Sequence, residues 1–459
     1  MTGIKMKSSK PSLKVLVSLA LFALLAAGYQ AAGALASDDP GPNIVLILID
    51  TLRADHLGCY GYQRNTSPNI DAFAAGAVLY KNAISTSSWT SPAVASFFTG
   101  QYPHVMGYED QAVVLDEKFL TLAEILRYSG YATRGVISHL YLSAELGFGQ
   151  GFDGFDEENA QGHGHISSPS VTDKGIELID ELKDEKFFLF LHYFDPHCDY
   201  ILHDEYNFYP DYAGSLYSGQ TIQDLRAFAR EMNDDDVRYL NALYDSEIRF
   251  TDQHVGRLFD HLKDAGLYDD ALIVIVADHG EEFLERGNAW IGHTRTVYQE
   301  LVHVPFMVKA PGGVEPCTVE RPVSLLDFMP TVVASAGLEV PAGYEHDGMP
   351  IDASGETEHL RSVLITETKR WGTHQGVIEG NWKLLHDPTA RSFHLFDLEA
   401  DPGEIEDVSG ANDETLRRLK AALFEWDYDV RMKRSKFRVR HPNLSNKQVE
   451  KLKSLGYIR

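Results

Sequence analysis

Thr90 is the residue whose position in this chain most suggests a nucleophile. It opens the segment TSPAVASFFTG, residues 90–100, which has the pattern of a short helix. Pro92 is tolerated in a first helical turn, Thr90 suits the N-cap, and Gly100 suits the C-terminal end. A tetrahedral anion bound at such a helix start would meet free backbone N–H groups. Because most threonines at helix starts are N-caps and nothing more, the segment indicates chemistry only if charged partners lie nearby.

Carboxylates and histidines follow three apolar runs of the chain. The runs NIVLILI (43–49), FFLFLHYF (187–194) and ALIVIVA (271–277) are followed by Asp50, by Asp195 with His197, and by Asp278 with His279. Runs that are apolar on both faces indicate parallel strands buried between helix layers. Ligands of such sheets bind beyond the carboxyl ends of the strands. A single Asp at a strand end is usually a turn former, but three on one rim favour a metal site.

A cation held by these residues would make a hydroxyl nucleophile effective. Phosphoryl and sulfuryl esters resist attack because they are anionic, and a threonine hydroxyl is a poor nucleophile until its pKa is lowered. A divalent cation stabilises the alkoxide and neutralises charge on the transferring group. The predicted metal site consists of Asp50, Asp278 and His279, with Thr90 as a further ligand. Carboxylate-rich ligation with one imidazole suits Mg²⁺, Mn²⁺ or Ca²⁺, and Zn²⁺ is compatible with it.

Motifs along nearly the whole chain after residue 42 resemble, in order, those of the sulfatase branch of the alkaline phosphatase superfamily. The resemblance implies an α/β fold, in which a mostly parallel central sheet lies between helices and a smaller α+β subdomain follows. The matching motifs are NIVLILIDTLRADHLGCYGY (43–62), SWTSPAVASFFTGQYPH (88–104), DPH (195–197), ADHGEE (277–282), GHTRTVYQE (292–300), LDFMPT (326–331), LFDL (395–398), DPGE (401–404) and LKSLGYI (452–458).

The main departure from the family's pattern concerns the nucleophile. In sulfatases of the usual kind, a Cys or Ser in a C/S-x-P-x-R motif is oxidised to formylglycine, whereas this chain has Thr90 there and Val94 in place of the Arg. Thr is not converted to formylglycine in that family, so the resemblance implies no formylglycine and attack by the hydroxyl itself. Family members with Thr at this place include phosphodiesterases, nucleotide pyrophosphatases and phosphoethanolamine or phosphoglycerol transferases. The segment CTVER (317–321) superficially matches the modification motif but lacks its Pro.

The predicted function is therefore metal-dependent hydrolysis of phosphoric mono- or diesters through a threonine nucleophile. One alternative is hydrolysis of sulfuric esters without formylglycine. Another is phosphotransfer to an alcohol, which is disfavoured because most relatives of that type carry several membrane spans. A third is a non-catalytic anion-binding protein, and the presence together of Asp50, Thr90, Asp278 and His279 argues against it.

The resemblance also implies residues that contact the substrate. His197, His293 and Arg295 are expected to bind the substrate anion, with one of the histidines protonating the leaving group. Arg295 replaces the family's Lys, which keeps the charge but offers a fork of donors. Thr51 replaces the family's second carboxylate after the first strand, which favours a less negative metal site.

A single metal ion is predicted. Two-metal members of the superfamily use an Asp with a His four residues later, and here Asp195 is followed at that spacing by Asp199. His104 and His192 fit a buried structural role as well as they fit a functional one.

The chain divides into three predicted regions. Residues 1–36 form a secretory signal, with four lysines before the uncharged apolar run 15–27 and a cleavage pattern, ALA, at 34–36. The signal predicts export to the periplasm or the outside of the cell, and no stable membrane span is expected after cleavage. The alternative is that the segment stays uncleaved as an anchor, although the apolar run is short for a membrane span. Residues 42–350 form the predicted catalytic domain, with a polar and aromatic insertion at 200–245, and residues 355–459 form a subdomain with a small antiparallel sheet and a helix.

Charge and cysteine content limit the partners. Loss of residues 1–36 takes the formal net charge from −26 to −30. Such a surface repels nucleic acid, so no nucleic-acid partner is expected, and an anionic ester must be captured by local positive charge.

The three cysteines, Cys59, Cys198 and Cys317, argue against a disulfide framework, although one pair is possible. Nothing in the sequence indicates an oligomeric state.

Overall fold

The computed structural model describes residues 41–108, 113–162, 165–287, 289–312, 315–351, 361–370 and 372–442. The predicted signal, residues 1–36, and the motif at 452–458 lie outside these ranges. Within them, no helix is both long enough and apolar enough to cross a membrane. Residues 42–340 and the described residues from 344 onward form one compact unit.

Strands and helices alternate along the larger part of this unit. The strands up to residue 324 are β1 (Ile44–Ile49), β2 (Val78–Tyr80), β3 (Ala83–Ile84), β4 (Ala132–Val136), β5 (Gly154–Asp156), β6 (Phe187–Tyr193), β7 (Leu272–Val276), β8 (Glu282–Phe283), β9 (Ile291–Gly292), β10 (His303–Val304), β11 (Phe306–Lys309), β12 (Cys317–Val319) and β13 (Val323–Ser324). The α-helices up to residue 335 are α1 (Pro68–Ala74), α2 (Thr90–Thr99), α3 (Pro103–Met106), α4 (Leu122–Tyr128), α5 (Ser168–Leu182), α6 (Ile222–Phe228), α7 (Asp234–Asp264), α8 (Gln299–Val302) and α9 (Phe328–Ser335).

The central sheet is mostly parallel, as predicted. As far as the chain is described, it has eight strands in the order β12-β2-β11-β7-β1-β6-β4-β5. Strand β1 pairs in parallel with β6 on one side and with β7 on the other, and β11 is antiparallel to both of its neighbours. Since β7, β1 and β6 are adjacent and point the same way, their carboxyl ends meet at one edge of the sheet.

The sheet lies between helix layers because its central strands are apolar on both faces. Every residue of β1, β6 and β7 is buried. Consecutive strand residues point to opposite faces. Phe190 of β6 packs against Phe98 of α2, with ring centroids 5.2 Å apart, whereas the next residue, Leu191, lies against Gly175 of α5. Helices α2 and α5 therefore cover opposite faces.

A small antiparallel sheet follows in the chain. It consists of β14 (Leu364–Thr368), β15 (His374–Glu379), β16 (Trp382–Asp387) and β17 (Ser392–Asp397), which pair in sequence order. Helix α10 (Asp413–Arg434) packs against β15 and β16. The Glu367 N–H of β14 donates to the Thr86 carbonyl, 2.9 Å away, so this sheet contacts the segment that leads into α2. The predicted antiparallel C-terminal sheet and its packing helix are thereby confirmed.

Candidate active site

Asp50 lies at the centre of the edge where β7, β1 and β6 end. Its carboxylate is fully buried, and its Oδ2 accepts a hydrogen bond from His192 Nε2 at 3.2 Å. The Ser138 backbone N–H donates to His192 Nδ1, which fixes the neutral tautomer with its proton on Nε2. Burial lowers the pKa of His192 to about 4, in agreement with a neutral ring. One oxygen of Asp50 is therefore held in place, and the other, Oδ1, has no hydrogen-bond partner among the described residues.

Asp278 is arranged in the same way. Its Oδ1 accepts the backbone N–H groups of Thr51, at 3.3 Å, and of His279, at 2.9 Å. No hydrogen bond to its Oδ2 is found in the described part of the chain, although the carboxylate is fully buried. Burial, and next the charge of Asp278, raise the pKa of Asp50 well above its ordinary value. Two buried carboxylates are thus held side by side, each with one oxygen turned toward the same space.

His279 and Thr90 complete this cluster. His279 Nδ1 donates to the Gly280 carbonyl at 2.9 Å, so Nε2 is the ring nitrogen that faces the carboxylates. His279 Nε2 lies 3.4 Å from Asp278 Oδ2, 3.7 Å from Asp50 Oδ1 and 3.3 Å from Thr90 Oγ1. Burial by itself lowers the pKa of His279, but Asp278 and Asp50 outweigh it and raise that pKa.

Thr90 occupies a different helix position from the one predicted. Trp89, with extended backbone angles, is the N-cap of α2, and Thr90 is the first helical residue. The N-cap assignment was wrong by one residue because the chain stays extended through Trp89. Gly100 does end the helix, in the left-handed conformation, as predicted. The shift leaves the Thr90 hydroxyl on the side of α2 that faces His279.

The donor set of this cluster fits a divalent cation. Asp50, Asp278 and His279 each offer a ligand atom, and these atoms lie within 4.8 Å of one another. Two carboxylate oxygens without hydrogen bonds would be costly to bury unless a cation neutralised them. His192 behind Asp50 and the Gly280 carbonyl behind His279 are the supporting contacts that orient metal ligands.

Two further buried histidines lie next to the cluster. The rings of His279 and His293 lie 4.5 Å apart, and those of His293 and His197 lie 4.9 Å apart. His293 Nδ1 is 2.9 Å from Glu281 Oε1, a fully buried carboxylate that orients the ring. His197 stacks on Phe194, with centroids 4.4 Å apart. The structure therefore brings both predicted substrate-contacting histidines to the Thr90 cluster.

Two other predicted residues make different contacts. The guanidinium carbon of Arg295 is 4.7 Å from the ring centroid of Trp290, so this side chain packs on an indole. Asp195, the candidate ligand of a second metal, instead accepts hydrogen bonds from the Ser167 N–H and hydroxyl and from the Ser168 N–H. Its carboxylate thus holds the start of α5.

Backbone strain is concentrated beside these residues. Thr51, next to Asp50, has φ 54°, and Thr294, next to His293, has φ 85°. Such values are unfavourable for β-branched residues and persist only where surrounding contacts impose them. Tyr244 Oη donates to the Thr51 carbonyl at 2.7 Å, and the Thr294 N–H donates to the Ser88 carbonyl at 3.0 Å. These contacts hold the two turns that carry Asp50 and His293.

Two protein-family models match this chain. The Sulfatase family model matches residues 42–338. The chain belongs to the Sulfatase family. A second model, N-sulphoglucosamine sulphohydrolase, C-terminal, matches residues 288–428. The predicted family and its alkaline phosphatase superfamily fold are confirmed, and this sulfatase-family protein is a hydrolase.

Individual relatives cover most of its length. An N-acetylglucosamine-6-O-sulfatase of Bacteroides thetaiotaomicron is 22% identical over 468 residues, covering 80% of this chain and 83% of the relative. Arylsulfatase A of Homo sapiens is 26% identical over 459 residues, covering 83% of this chain and 86% of the relative. The crystal structure of a phosphonate monoester hydrolase of Agrobacterium radiobacter aligns with a TM-score of 0.69 at 21% identity, covering 86% of this chain and 96% of that one. This last match supports the fold. Sulfatase-family homologues use a divalent metal ion, for which the Asp50, Asp278 and His279 cluster is the possible site.

Sequence reasoning missed several residues around the candidate site of this sulfatase-family protein. His139 Nδ1 lies 3.5 Å from Asp50 Oδ2, and Glu281 holds His293. Arg370, from the loop after β14, packs on Trp89 and Tyr141, 4.7 and 5.0 Å from their ring centroids. None of them follows an apolar run, although Glu281 lies inside the ADHGEE motif and could have been found there.

His104 and His192, for which the sequence allowed either a structural or a functional role, lie in different parts of the structure. His192 holds Asp50 and belongs to the site. His104 instead contacts the C-terminal sheet, since its backbone N–H donates to Glu367 Oε1 at 2.8 Å and its Nδ1 lies 2.5 Å from Lys369 Nζ. The three cysteines, all within the described ranges, are free thiols.

Proposed function

We propose that this protein is a metal-dependent hydrolase of phosphoric mono- or diesters in which the Thr90 hydroxyl is the nucleophile. The observation that carries the proposal is the 3.3 Å distance between Thr90 Oγ1 and His279 Nε2, inside a cluster with two carboxylate oxygens that lack hydrogen bonds within the described ranges. A threonine hydroxyl does not act as a nucleophile unless its surroundings activate it, and this cluster can do so.

Asp50, Asp278, His279 and Thr90 would hold the cation, which Ca²⁺, Mg²⁺ or Mn²⁺ suits and Zn²⁺ can match. When bound, a divalent cation lowers the pKa of the hydroxyl and neutralises charge on the ester. The carboxylate-rich donor set supports this assignment, and no formylglycine is needed for it.

The reaction then proceeds in two displacements. Thr90 Oγ, whose proton passes to solvent, attacks phosphorus while the bond from phosphorus to the alcohol oxygen breaks, and His293 or His197 donates a proton to that oxygen. Water, which returns a proton to that histidine, afterwards attacks the phosphothreonine, and the threonine oxygen leaves and takes up a proton from solvent. A monoester thus yields phosphate, and a diester yields a phosphate monoester. Glu281, hydrogen-bonded to His293 Nδ1, keeps Nε2 of that ring directed toward the site. Arg295, with its fork of donors, is proposed to contact the substrate anion.

Hydrolysis of sulfuric esters is the second candidate, and the names of the curated relatives favour it. The same threonine would attack sulfur in place of phosphorus. Phosphotransfer shares the first displacement but passes the phosphoryl group to an alcohol. Substrate turnover distinguishes the three, because they differ in the central atom or in the acceptor.

The assay uses purified protein with Mn²⁺, Ca²⁺ or Zn²⁺ and four substrate types: aryl phosphate monoesters, aryl phosphate diesters, phosphonate esters and aryl sulfates. Thr90→Ala is expected to abolish turnover, and Thr90→Ser to keep part of it, since Ser retains a hydroxyl. Ser96→Ala removes another buried hydroxyl from the same helix and serves as the matched control. Mass spectrometry of the protein quenched during turnover should find phosphate on Thr90.

Three results would change the proposal. Full activity of Thr90→Ala would disprove the nucleophile. Turnover of aryl sulfate alone would establish the second candidate, and transfer to an added alcohol in excess of hydrolysis would establish the third.

We further propose that the protein is exported and acts in the periplasm or outside the cell. The charge and apolar pattern of residues 1–36 supports this, with uncleaved anchoring as the alternative. N-terminal sequencing of the protein from a membrane-free periplasmic or culture fraction should begin at Ser37. A chain that keeps residues 1–36 and sediments with membranes would instead support the anchor.

A further inference from the structure

Glu404 is a buried carboxylate in an otherwise exposed loop. It closes the DPGE motif (401–404), which follows β17. Its neighbours Gly403 and Ile405 are exposed, whereas Glu404 is only 3% exposed. Glu404 also has φ 52°, a value that is unfavourable for residues other than glycine and persists where surrounding contacts impose it. The loop is therefore held in a conformation that directs this one carboxylate inward.

The Glu404 carboxylate binds the start of α8. Its Oε2 accepts the backbone N–H of Gln299, the first residue of α8, at 2.6 Å. Its Oε1 lies 2.7 Å from Lys383 Nζ of β16, so the carboxylate joins α8 to the small antiparallel sheet. Arg286 strengthens this contact, because its Nη1 donates to the Glu404 carbonyl at 3.1 Å and its Nε donates to Glu300 Oε1 of α8 at 2.7 Å. The loop after β17 thus fixes the position of α8.

Helix α8 in turn contacts the turn that carries His279. The Leu301 carbonyl accepts the backbone N–H of Gly280 at 2.9 Å. The two segments lie close together, because a Cβ on Gly280 would overlap the Glu300 carbonyl oxygen. The Gly280 carbonyl is also the group that accepts the hydrogen bond from His279 Nδ1, at 2.9 Å. Gly280 therefore connects α8 with the ring of a predicted metal ligand.

We infer that Glu404 is a positioning residue for His279. The carboxylate fixes the start of α8, α8 fixes Gly280, and Gly280 fixes the imidazole that would bind the metal. Groups that orient metal ligands typically change metal affinity by about 10- to 100-fold. Since Glu404 acts through α8 and Gly280, we expect an effect of about tenfold, at the lower end of this range. The inference rests on the metal site of the proposed function.

A purely structural role for Glu404 makes a different prediction. If the carboxylate only neutralised Lys383, replacing both residues by apolar ones would leave a stable protein with unchanged metal binding, because exchange of a buried ion pair for apolar residues is often neutral. If the carboxylate positions His279, the loss of its bond to Gln299 weakens metal binding even in a stable protein. Metal affinity measured at comparable stability therefore separates the two roles.

The test compares two double variants, Lys383→Met/Glu404→Leu and Lys383→Met/Glu404→Gln. Both lack the ion pair, but Gln keeps a side-chain oxygen that can accept the Gln299 N–H, and Leu does not. Calorimetry of Mn²⁺ binding to chelator-treated protein, without substrate, measures the effect. We expect the dissociation constant to rise about tenfold in the Leu double variant and to stay within about twofold of the wild type in the Gln double variant. Lys383→Met alone keeps Glu404 and should bind Mn²⁺ like the wild type, although it is less stable.

A single variant tests the connection at its other end. Gly280→Ala places a methyl group against the Glu300 carbonyl and so separates α8 from Gly280. It should also weaken Mn²⁺ binding about tenfold. Unchanged affinity of Gly280→Ala would contradict the path through α8.

Hydrogen exchange gives a further measurement that needs no metal. The Gly280 N–H is protected by its bond to the Leu301 carbonyl. In a peptide spanning residues 277–283, exchange at Gly280 should be about tenfold faster in the Leu double variant than in the Gln double variant. A peptide spanning residues 44–49 of β1 is the internal control and should exchange equally in both.

The outcomes separate this inference from the proposed function. If both double variants bind Mn²⁺ as tightly as the wild type, or if both are weakened equally, the positioning role is refuted while the metal site stands. If the wild type binds no Mn²⁺, the metal site of the proposed function fails, and exchange at Gly280 alone decides the role of Glu404. Faster exchange in the Leu double variant than in the Gln double variant would then support it, and equal exchange would overturn it.

Discussion

Asp278→Asn should make the metal-free protein more stable and abolish its stabilisation by metal. Asp278 Oδ1 accepts two backbone N–H groups, which an asparagine oxygen can accept equally well. The substitution therefore changes Oδ2, the oxygen that has no hydrogen bond within the described residues and that faces Asp50 across the candidate metal site. It removes one of two adjacent buried negative charges and one predicted metal ligand at the same time.

The expected changes in melting temperature follow from the distances within the cluster and from the affinity for metal. Unit charges 4.8 Å apart, the longest separation within the cluster, repel by about 3.5 kcal/mol at an effective dielectric constant of about 20. Attraction to His279 offsets part of this repulsion. A chain of this length unfolds with an entropy of about 0.9 kcal/mol per degree, so the melting temperature of the metal-free variant should rise by less than about 4 °C. A metal present at about 100 times its Kd stabilises the wild type by about 2.7 kcal/mol, or about 3 °C, and should leave Asp278→Asn unchanged.

Differential scanning calorimetry of chelator-treated protein, with and without added Mn²⁺ or Ca²⁺, measures both effects. Asp195→Asn is the matched control, because Asp195 is also buried at a strand end but accepts hydrogen bonds with both oxygens. Replacing one acceptor by an NH₂ group leaves a buried N–H without a partner and should cost about 1–3 kcal/mol, with the metal shift intact. A destabilised Asp278→Asn that still responds to metal would refute the assignment of this cluster.

Three other predictions concern different parts of the molecule. Lys383 Nζ and Glu404 Oε1 form a fully buried ion pair at 2.7 Å, so Lys383→Met should cost about 3–5 kcal/mol in a denaturant titration, whereas an unchanged midpoint would contradict the pairing. His192→Phe removes the donor that holds Asp50 Oδ2 and should weaken metal binding about 10- to 100-fold by calorimetry, with His104→Phe as the control that leaves affinity unchanged. The three cysteines are free, so the unfolded, non-reduced protein should react with three equivalents of a thiol reagent, and a count of one would reveal a disulfide.

The fold was predictable because its central strands are recognisable one at a time. The apolar runs before Asp50, Asp195 and Asp278 are β1, β6 and β7, and all three end at one edge as a parallel arrangement requires. Gly100 ended its helix as expected, since only a residue tolerant of left-handed angles fits there. The exact start of α2 was missed, because no local signal kept Trp89 extended.

The identity of the cluster residues was predictable from the sequence, whereas the orientation of their side chains was not. Asp50, Asp278 and His279 could be named from the sequence because each directly follows a recognisable strand, and strand ends in a parallel sheet converge. The direction in which each carboxylate points could not be predicted from the sequence. Asp195 also follows such a strand, yet its oxygens are taken by the start of α5, whereas those of Asp50 and Asp278 face one another.

The sequence by itself determined the family and which polar side chains follow the central strands. Only the tertiary structure decided which of these side chains face a common space, and that His192 and Glu281 stand behind or beside them. The physical reason is that local sequence fixes backbone conformation and burial, whereas contacts between different segments of the chain depend on how the helices and loops pack against the sheet.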